Sequence, residues 1–427
     1  MVFIYPLHPE WTLLSCLLFR SKLIVSMISN LMFIYIVTST SKNYTLIPQT
    51  DEAIVDACRH LLGQVSHIHT GVNADADQDF LRQLLMHNQR GEEYLVFDTN
   101  GKSSFSVQGK KFIRNRFSYI SDAPYSIWPY IIQMDRRSVI TYSDQSHRQF
   151  LDDIGYKKPS FFMPHGGPLP VKPHIDFKDR DINVLVLGRV QKAESLDDIV
   201  DRVGAGLPDL RKILDRAFEK ALSENLEPYL ALKSICLEGG IDLISSLPHP
   251  ALFELLKSFY RWMEMTNRNK LLQEITDVKI DFVGPIRDEI AGITDRNHNF
   301  HHKQLGEDCL KFMDRAKVVL NSVTVFPDGS HERIWFAMAH GAAVFTDYSR
   351  FVAETFRGDE NILFIDNTNH RQSVDRLKNA MESGDALATL ADKASAIYPH
   401  HHTWEKRLGT VLPQVGAAIS SNEIEGA

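Results

Sequence analysis

Short apolar segments that alternate with helical patterns constrain the fold of this chain more than any other feature. In the first half, four apolar runs each end in polar or turn-forming residues, at 94–97, 117–120, 138–141 and 160–163. In the second half, such runs lie at 182–187, 279–283, 317–321, 342–346 and 362–365, with helical patterns at 210–222, 251–275, 304–315, 332–339 and 372–381. This alternation predicts an α/β protein whose strands form parallel sheets flanked by helices.

The length of the chain and one proline-rich segment predict two domains. A chain of 427 residues is too long for one ordinary hydrophobic core. Residues 168–181 hold Pro168, Pro170 and Pro173 and then charged residues, a composition typical of an interdomain linker. We therefore expect an N-terminal Rossmann-like domain at 46–170 and a C-terminal one at 180–402, the latter with a helical insertion.

The N-terminal run LIVSMISNLMFIYIVT, residues 23–38, contains no charged side chain. It has three interpretations: a signal anchor, a buried first strand and helix of the N-terminal domain, or an upstream extension outside the working protein. A membrane helix requires about 20 apolar residues, and this run is shorter and contains polar positions. We treat residues 1–45 as an apolar extension, so a chain that starts near Asn43 should be soluble and active.

The charge and the cysteines bear on partners and location. A net charge of −7 and a pI near 6.2 argue against a nucleic-acid-binding protein, which would normally have a basic face. The four cysteines are far apart and form no CxxC pair, which favours reduced thiols over disulfides or a zinc site. We expect a cytoplasmic protein, with peripheral contact to a membrane as the alternative.

A glycine-containing loop that leads into a helix, within residues 317–366, carries the main chemical signal. Such a loop offers free backbone N–H groups and the positive end of a helix dipole, which suit a diphosphate. Arg333 in the first turn could add a bidentate phosphate contact. The alternative is a helix capped by Ser330, with Glu332 and Arg333 as solvated charges. The pattern consists of Asn321 closing a strand, Asp328-Gly329-Ser330, His331-Glu332-Arg333, Gly341 and Thr346-Asp347.

This pattern resembles the donor-binding half of GT-B glycosyltransferases, and within them the bacterial branch of spore-maturation-protein CgeB-like enzymes. Gly188-Arg189 resembles the element that many GT-B enzymes direct at the donor phosphates. The resemblance implies two facing Rossmann-like domains, a last helix at 403–420 that returns to the N-terminal domain, and a hexosyltransferase-like enzyme without a metal or other cofactor. A nucleotide-sugar donor would bind in the C-terminal domain, and a glycan, lipid or protein acceptor in the N-terminal domain. The implied donor-binding residues are Gly188, Arg189, Asn321, Asp328, Gly329, Ser330, His331, Glu332, Arg333 and Asp347.

One position departs from that family. Retaining GT-B enzymes often place two carboxylates eight positions apart around this loop, and here Asp328 is followed at the second position by Phe336. A phenyl ring cannot accept the hydrogen bonds of a ribose. Two rival functions therefore stay open: a non-catalytic relative that binds nucleotide or glycan, and a sugar-phosphate epimerase of the same architecture. A nicotinamide-dependent dehydrogenase is disfavoured because no GxGxxG follows a predicted strand.

Candidate catalytic residues lie beyond the predicted strand ends of the first half. Asp122, Asp144, His147 and His165 occupy these positions, and an Asp or His there could deprotonate an acceptor hydroxyl. We favour Asp122 and His165 as catalytic or acceptor-contacting residues, with capping or turn formation as the alternative. The histidine clusters at 297–302 and 400–402 lack a regular ligand spacing, so we expect a solvated loop rather than a metal site at 298–302.

Overall fold

The computed structural model describes residues 33–39, 46–70, 74–101, 113–134, 137–171, 175–203, 207–301 and 307–421. Two parallel six-stranded sheets, each flanked by helices, organise this part of the chain. The predicted fold class, an α/β protein of two Rossmann-like domains with a helical insertion in the second domain, is confirmed.

The N-terminal sheet has the strand order β2-β1-β3-β4-β5-β6. Its strands are β1 (Phe33–Ser39), β2 (Ser66–Thr70), β3 (Tyr94–Thr99), β4 (Arg116–Ile120), β5 (Ser138–Tyr142) and β6 (Ser160–Phe162). Its helices are α1 (Ile47–Leu62), α2 (Ala74–Arg90), α3 (Trp128–Ile131) and α4 (His147–Asp153). The four predicted strands of this half are β3 to β6. All residues of β4 and β5 are buried, whereas Thr99 at the end of β3 and two residues of β6, Phe161 and Phe162, are partly exposed.

Residues 33–39, from the apolar N-terminal run, form a strand inside this sheet, which corrects their assignment to an extension and agrees with the buried-strand interpretation. The rest of residues 1–45 lies outside the described residues. Strand β1 pairs with β2 on one side and with β3 on the other. Ile34 and Ile36 pack into the cluster that contains α1, whereas Tyr35 and Val37 pack against α2. Because both faces of β1 are buried, its sequence is apolar without alternation and resembles part of a membrane segment. None of the helices in the described part of the chain is long and apolar enough to cross a membrane.

The C-terminal sheet has the strand order β12-β11-β10-β7-β8-β9. Its strands are β7 (Ile182–Leu187), β8 (Ile280–Val283), β9 (Asn299–His301), β10 (Ala316–Asn321), β11 (Ala343–Asp347) and β12 (Leu363–Ile365). The edge strand β9 falls within the histidine-rich segment for which we expected a loop. Phe300 stacks on Phe282 of β8, and Nε2 of His301 donates a hydrogen bond to Oδ1 of Asp281 at 2.7 Å, so the segment is held in the sheet by its side chains.

The helices of the C-terminal half include an insertion between β7 and β8. They are α5 (Leu196–Val203), α6 (Leu210–Glu224), α7 (Pro228–Glu238), α8 (Leu243–Ser246), α9 (His249–Glu274), α10 (Glu307–Arg315), α11 (Glu332–Ala339), α12 (Arg350–Ala353), α13 (His370–Glu382), α14 (Gly384–His401) and α15 (Trp404–Ser420). Helices α5 to α9 share one apolar cluster with Ile120, Tyr125 and Phe150 of the N-terminal domain. The insertion therefore joins the two domains through a common core.

The last helix, α15, packs on the N-terminal domain. Its residues Leu408, Val411 and Val415 belong to the same apolar cluster as α1. The crossing point is a close contact in which the Trp404 backbone N–H donates to the Gly167 carbonyl at 2.9 Å. A Cβ atom on Gly167 would lie 2.4 Å from Cβ of Trp335, so this turn requires glycine. The proline- and glycine-rich strand end at 164–167 is thus a packing element between the domains.

Candidate functional site

The topology of the C-terminal sheet places a crevice between β7 and β10. From β7 the chain goes to β8 on one side, whereas β10, β11 and β12 lie on the other side. In open parallel sheets, ligands bind at such a switch point, beyond the carboxyl ends of the strands. Gly188 follows β7 and Asn321 closes β10, so both predicted residues lie at this point.

Two glycines form the floor of the crevice. Gly188 and Gly284 have φ angles of 147° and 154°. A Cβ atom on Gly284 would lie only 2.0 Å from the Gly188 carbonyl oxygen, so the two backbones touch and a side chain is excluded. This close packing leaves the space above Gly188 open to side chains from other elements.

Two arginines direct guanidinium nitrogens into that space. A Cβ atom on Gly188 would lie 3.8 Å from Nη1 of Arg268 and 3.8 Å from Nη2 of Arg333. Arg268 is anchored by its Nε and Nη2, which donate to the Ser322 carbonyl at 3.0 and 2.8 Å, and by Glu264 at 2.6 Å. Nη1 of Arg333 donates to Oδ1 of Asn321 at 3.4 Å. Each guanidinium group thus directs one terminal nitrogen toward the space above Gly188.

The electrostatics of this pair favour an anion. Burial and the nearby positive charge of Arg268 lower the pKa of Arg333. Two guanidinium groups that face one space repel each other, and an anion bound between them would relieve that repulsion while accepting charge-assisted hydrogen bonds. Arg268 was missed by the sequence analysis. It lies near the C-terminal end of α9, 65 positions before Arg333 in sequence numbering, and no local motif marks it.

The N-terminal turn of α11 borders the same space. His331 is the N-cap residue, and its Nδ1 accepts from the Arg333 backbone N–H at 3.4 Å. The expected alternative of a cap by Ser330 is therefore wrong. The Ser330 hydroxyl donates to the His165 carbonyl at 3.3 Å and accepts from the indole N–H of Trp335 at 3.1 Å, so it packs between the domains.

The predicted loop of Asp328 and Gly329 contacts the N-terminal domain. The Asp328 backbone N–H donates to Oδ2 of Asp144 at 2.7 Å, and the Asp328 carboxylate pairs with Arg350 at 3.3 Å. A Cβ atom on Gly329 would lie 2.3 Å from the Ser143 carbonyl oxygen, so glycine permits this approach. The loop thus fixes α11 against the other domain, and the structure gives the Asp328 side chain a partner within the protein.

Asp347 and Asn321 support the site from within the sheet. The buried Asp347 carboxylate accepts from the Val323 backbone N–H, and burial raises its pKa to about 6. Asn321 donates to the Thr346 hydroxyl at 3.0 Å while it accepts from Arg333. The cavity beside these residues measures about 10 Å³, room for about one water molecule. Asp347 therefore holds the strand end, and Asn321 orients Arg333.

Arg189 and Phe336 have contrasting environments. The half-buried Arg189 side chain makes no hydrogen bond or ion pair with a described residue, and it follows Gly188 at the mouth of the crevice. Phe336 is 1% exposed and belongs to the apolar core beneath α11. A carboxylate in its place would not reach a ligand, so the departure at this position reflects how α11 packs.

The N-terminal domain contributes His165 to the edge of the crevice. Its ring packs against that of His331 with centroids 5.5 Å apart, and its Nδ1 lies 3.3 Å from Oε2 of Glu332. Its Nε2 donates to the Ser121 carbonyl at 3.1 Å, because a carbonyl can only accept. The remaining proton position, Nδ1, therefore faces the Glu332 carboxylate.

Burial lowers the pKa of His165, whereas the charge of Glu332 and the Ser121 carbonyl act in the opposite direction. Asp122 follows Ser121, is exposed, and accepts from the Asn100 amide at 2.9 Å. The structure thus brings His165, Glu332 and Arg333 together. Asp122 lies at the same rim and also acts on His165 through its charge.

Other predicted polar residues of the first half are buried in structural roles. His147 is fully buried beside Phe326, and burial lowers its pKa to about 3. Asp144 is buried and holds the Asp328 loop. In the described part of the chain, no group of three or more His, Cys, Asp or Glu side chains is arranged to hold a metal ion.

Residues 268–413 match a family model described as glycosyl transferase-like. The matched segment begins at Arg268 and includes Asn321, Glu332, Arg333 and the start of α15. A comparison with curated protein sequences gives no match. This segment of the C-terminal half is therefore similar to glycosyl transferase-like domains. It supplies Arg268, Asn321 and Arg333 to the crevice, whereas β7 and Gly188 precede it.

Three solved structures are similar to this chain at low identity. HepE from Anabaena, solved with UDP-glucose, is 13% identical, with 91% of this chain and 100% of that chain covered and a TM-score of 0.47. Sucrose-phosphate synthase from Thermosynechococcus elongatus is 10% identical, with 90% and 100% covered and a TM-score of 0.47. AviGT4, a glycosyltransferase of avilamycin A biosynthesis, is 13% identical, with 92% and 98% covered and a TM-score of 0.44. Similarity at this level does not by itself establish a shared activity.

Proposed function

We propose that this protein transfers a sugar from a nucleotide diphosphate sugar to an acceptor hydroxyl, in the cleft between its two domains. The observation that carries the proposal is the convergence of Arg268 and Arg333 above Gly188. This convergence occurs at the switch point of a sheet whose segment matches the glycosyl transferase-like family. An arginine pair at such a point suits the diphosphate of the donor.

The donor diphosphate would lie between the two guanidinium groups and the N-terminal turn of α11. Transfer breaks the bond between the sugar and the diphosphate, so negative charge grows on the departing phosphate oxygen. Fixed positive groups at that position stabilise the charge more in the transition state than in the bound donor. Arg268, anchored by Ser322 and Glu264, and Arg333, oriented by Asn321, are held for this role before the donor binds.

Glu332 and His165 would receive the proton of the acceptor hydroxyl. Glu332 is the more exposed side chain of the two, at 17% against 7%. In the neutral imidazole, Nδ1 carries a lone pair that faces the carboxylate, an arrangement that one additional proton would stabilise. We therefore assign the proton to Oε2 of Glu332, shared with Nδ1 of His165, while Asp122 at the rim contacts the acceptor.

We also propose an enzyme branch, a cellular location and a set of acceptor classes for this protein. The likeness of the segment at 317–366 to the CgeB-like branch supports a bacterial enzyme of that kind. The widely spaced cysteines, with Cys58 and Cys236 free and buried, support a cytoplasmic location. The acceptor would be a glycan, a lipid or a protein. Whether the protein contacts the periphery of a membrane depends on which of these it uses.

Donor hydrolysis by the purified full chain tests this function. Saturation-transfer NMR against UDP-, GDP-, ADP- and TDP-sugars would first identify the donor, and release of the nucleoside diphosphate would then be followed. We expect one nucleotide class to bind and its sugar to be released slowly to water. Binding without turnover, with or without a glycan acceptor, would support the non-catalytic alternative. Interconversion of a sugar phosphate would instead support an epimerase.

A further inference from the structure

A second cavity, of about 330 Å³, lies between the helical insertion and the carboxyl ends of β11 and β12. Its walls come from the end of α6, from Tyr348 after β11 and from residues 364–368 around the end of β12. The volume lies within the range of small-ligand pockets, roughly 300–1,000 Å³. Neither the arginine pair nor the His165–Glu332 contact lines it.

An aromatic side chain forms one wall of this cavity. Tyr348 is 43% exposed, and its ring meets that of Phe364 edge-on with centroids 5.2 Å apart. This contact holds the tyrosine ring in place while its other face remains open. An exposed, fixed aromatic face offers a large contact area at low cost in side-chain entropy, which suits the apolar face of a sugar ring.

The polar groups around the ring suit a neutral ligand rich in hydroxyl groups. Oδ1 of Asp366 accepts from the backbone N–H and the hydroxyl of Thr368 at 2.9 and 2.6 Å, and this oriented carboxylate lines the cavity. Arg376 is held by the Phe364 carbonyl at 2.6 Å and offsets the charge of Asp366. The amide of Asn225 adds a further polar group. The cavity therefore lacks the two converging guanidinium groups that mark the crevice above Gly188.

The loop before α11 lies between the cavity and the cleft and contacts residues on both sides. Tyr348 follows Asp347, and Nδ2 of Asn225 donates to the Pro327 carbonyl at 3.3 Å. Arg350 links this loop to the cavity wall, since it pairs with Asp328 of the loop and donates to the carbonyl of Asn225 in the wall at 3.3 Å. A ligand that extends from the cleft past this loop would reach Tyr348.

We infer that this cavity binds a neutral saccharide segment of the acceptor, so that the acceptor is a glycan. The role of the saccharide as an acceptor rests on the proposed glycosyl transfer, whereas binding of the saccharide can be measured without it. The insertion would then supply one wall of an acceptor subsite on the donor domain.

Titration of the full chain with maltotetraose, cellotetraose and chitotetraose, followed by saturation-transfer NMR, tests the inference. We expect at least one of them to bind, and Tyr348→Ala and Asp366→Asn each to weaken that binding by about tenfold, the effect of losing one good contact. Tyr130→Ala is the matched control, because Tyr130 is 44% exposed on α3 of the other domain. It should leave the saccharide affinity unchanged.

Three outcomes would overturn the inference: none of the three saccharides binds, Tyr348→Ala binds them as the wild type does, or UDP, GDP or ADP displaces the saccharide and loses affinity in Tyr348→Ala. The last result would place the nucleoside of the donor in the cavity. Failure of the proposed transfer has a different signature. In that case the saccharide still binds at Tyr348, whereas no nucleotide sugar is bound or hydrolysed.

Discussion

Nδ1 of His165 in the N-terminal domain lies 3.3 Å from Oε2 of Glu332, the first residue of α11 in the C-terminal domain. The ring is fixed from its other side, where Nε2 donates to the Ser121 carbonyl. A proton taken up between the two atoms would convert a contact between two acceptors into a charge-assisted hydrogen bond. The contact also requires both domains, so it exists only when the domains are docked.

Glu332→Gln tests this contact. The amide of glutamine can donate to Nδ1 of a neutral imidazole, so the fold and nucleotide binding should persist. Loss of the proton acceptor should lower turnover about 10²- to 10⁴-fold. Rates and nucleotide affinity would be measured on the same preparations. Glu405→Gln is the matched control, since Glu405 forms a 3.0 Å pair with His60 at the surface. Equal rates in both variants would contradict the proposed role.

Arg333→Ala tests the anion site. Loss of a charge-assisted phosphate contact, worth about 1.5–3 kcal/mol, should weaken nucleoside diphosphate binding by about ten- to a hundredfold. Folding stability should not fall, because the change also removes the repulsion with Arg268. Calorimetry would measure both. Arg315→Ala, at a surface pair with Asp181, is the control. An unchanged nucleotide affinity in Arg333→Ala would show that the donor does not bind in this crevice.

Phe336→Glu separates packing from ligand binding at this position. Phe336 lies in the core beneath α11, so a carboxylate there should lower the free energy of unfolding by roughly 3–5 kcal/mol. Phe336→Leu keeps the apolar character and should cost less than about 1.5 kcal/mol. Urea denaturation would compare the two. A stable Phe336→Glu protein that binds nucleotide more tightly would instead show that the position faces the donor.

A chain that starts at Asn43 should not fold, contrary to the expectation from the sequence. It lacks β1, which pairs with two neighbours in the N-terminal sheet. A chain that starts at Asn30 keeps β1 and serves as the control. Circular dichroism and thermal unfolding would distinguish them. Cooperative unfolding of the shorter chain at the same temperature as the control would show that β1 is dispensable.

Stability should fall as the pH rises from 5 to 8, in part because of Glu227. Burial raises the pKa of this side chain from its ordinary value of 4.5 to about 8. In this interval the unfolded chain has lost the proton and the folded chain keeps it, so the free energy of unfolding falls, by roughly 2–4 kcal/mol from this group. The buried Asp144, with a pKa raised to about 6, acts in the same direction.

Glu227→Gln should flatten this dependence. Glutamine retains an oxygen that can accept from the Tyr125 hydroxyl, which lies 2.7 Å from Oε1 of Glu227. Urea denaturation at pH 5, 6.5 and 8 would measure the free energy of unfolding. Glu238→Gln, at a surface pair with Arg216, should keep the pH dependence of the wild type. Parallel curves for Glu227→Gln and the wild type would contradict the assignment.

Local patterns predicted most of the sheet residues, and the exceptions share a physical cause. Strands such as β7 and β10 are apolar because helices cover both of their faces, so each appears as a compact run. Strands β2 and β9 have sequences SHIHT and NFH at sheet edges, where polar side chains are tolerated and no apolar run forms. β1 was obscured by the apolar residues that precede it.

The site was predictable only where its residues are close in sequence. Glu332 and Arg333 follow a glycine loop, and His165 follows a strand, so strand-end and helix-start patterns identified them. Arg268 and the contact between Asp144 and Asp328 depend on how α9 and the two domains pack, which no local pattern encodes. The Asp328–Ser330 loop has the composition of a phosphate-binding loop, yet its glycine serves the approach to Ser143.

The helical insertion has a mechanical consequence for the cleft. Its apolar cluster continues into the N-terminal domain, and Lys233 forms an ion pair with Asp153 across that boundary at 2.5 Å. Rotation of the domains away from each other would expose this shared core to water, which is unfavourable. We therefore expect the cleft to keep a constant width and not to open and close by domain motion. Substrates would enter and products leave along its open edge, and small-angle scattering profiles with and without nucleotide should superimpose.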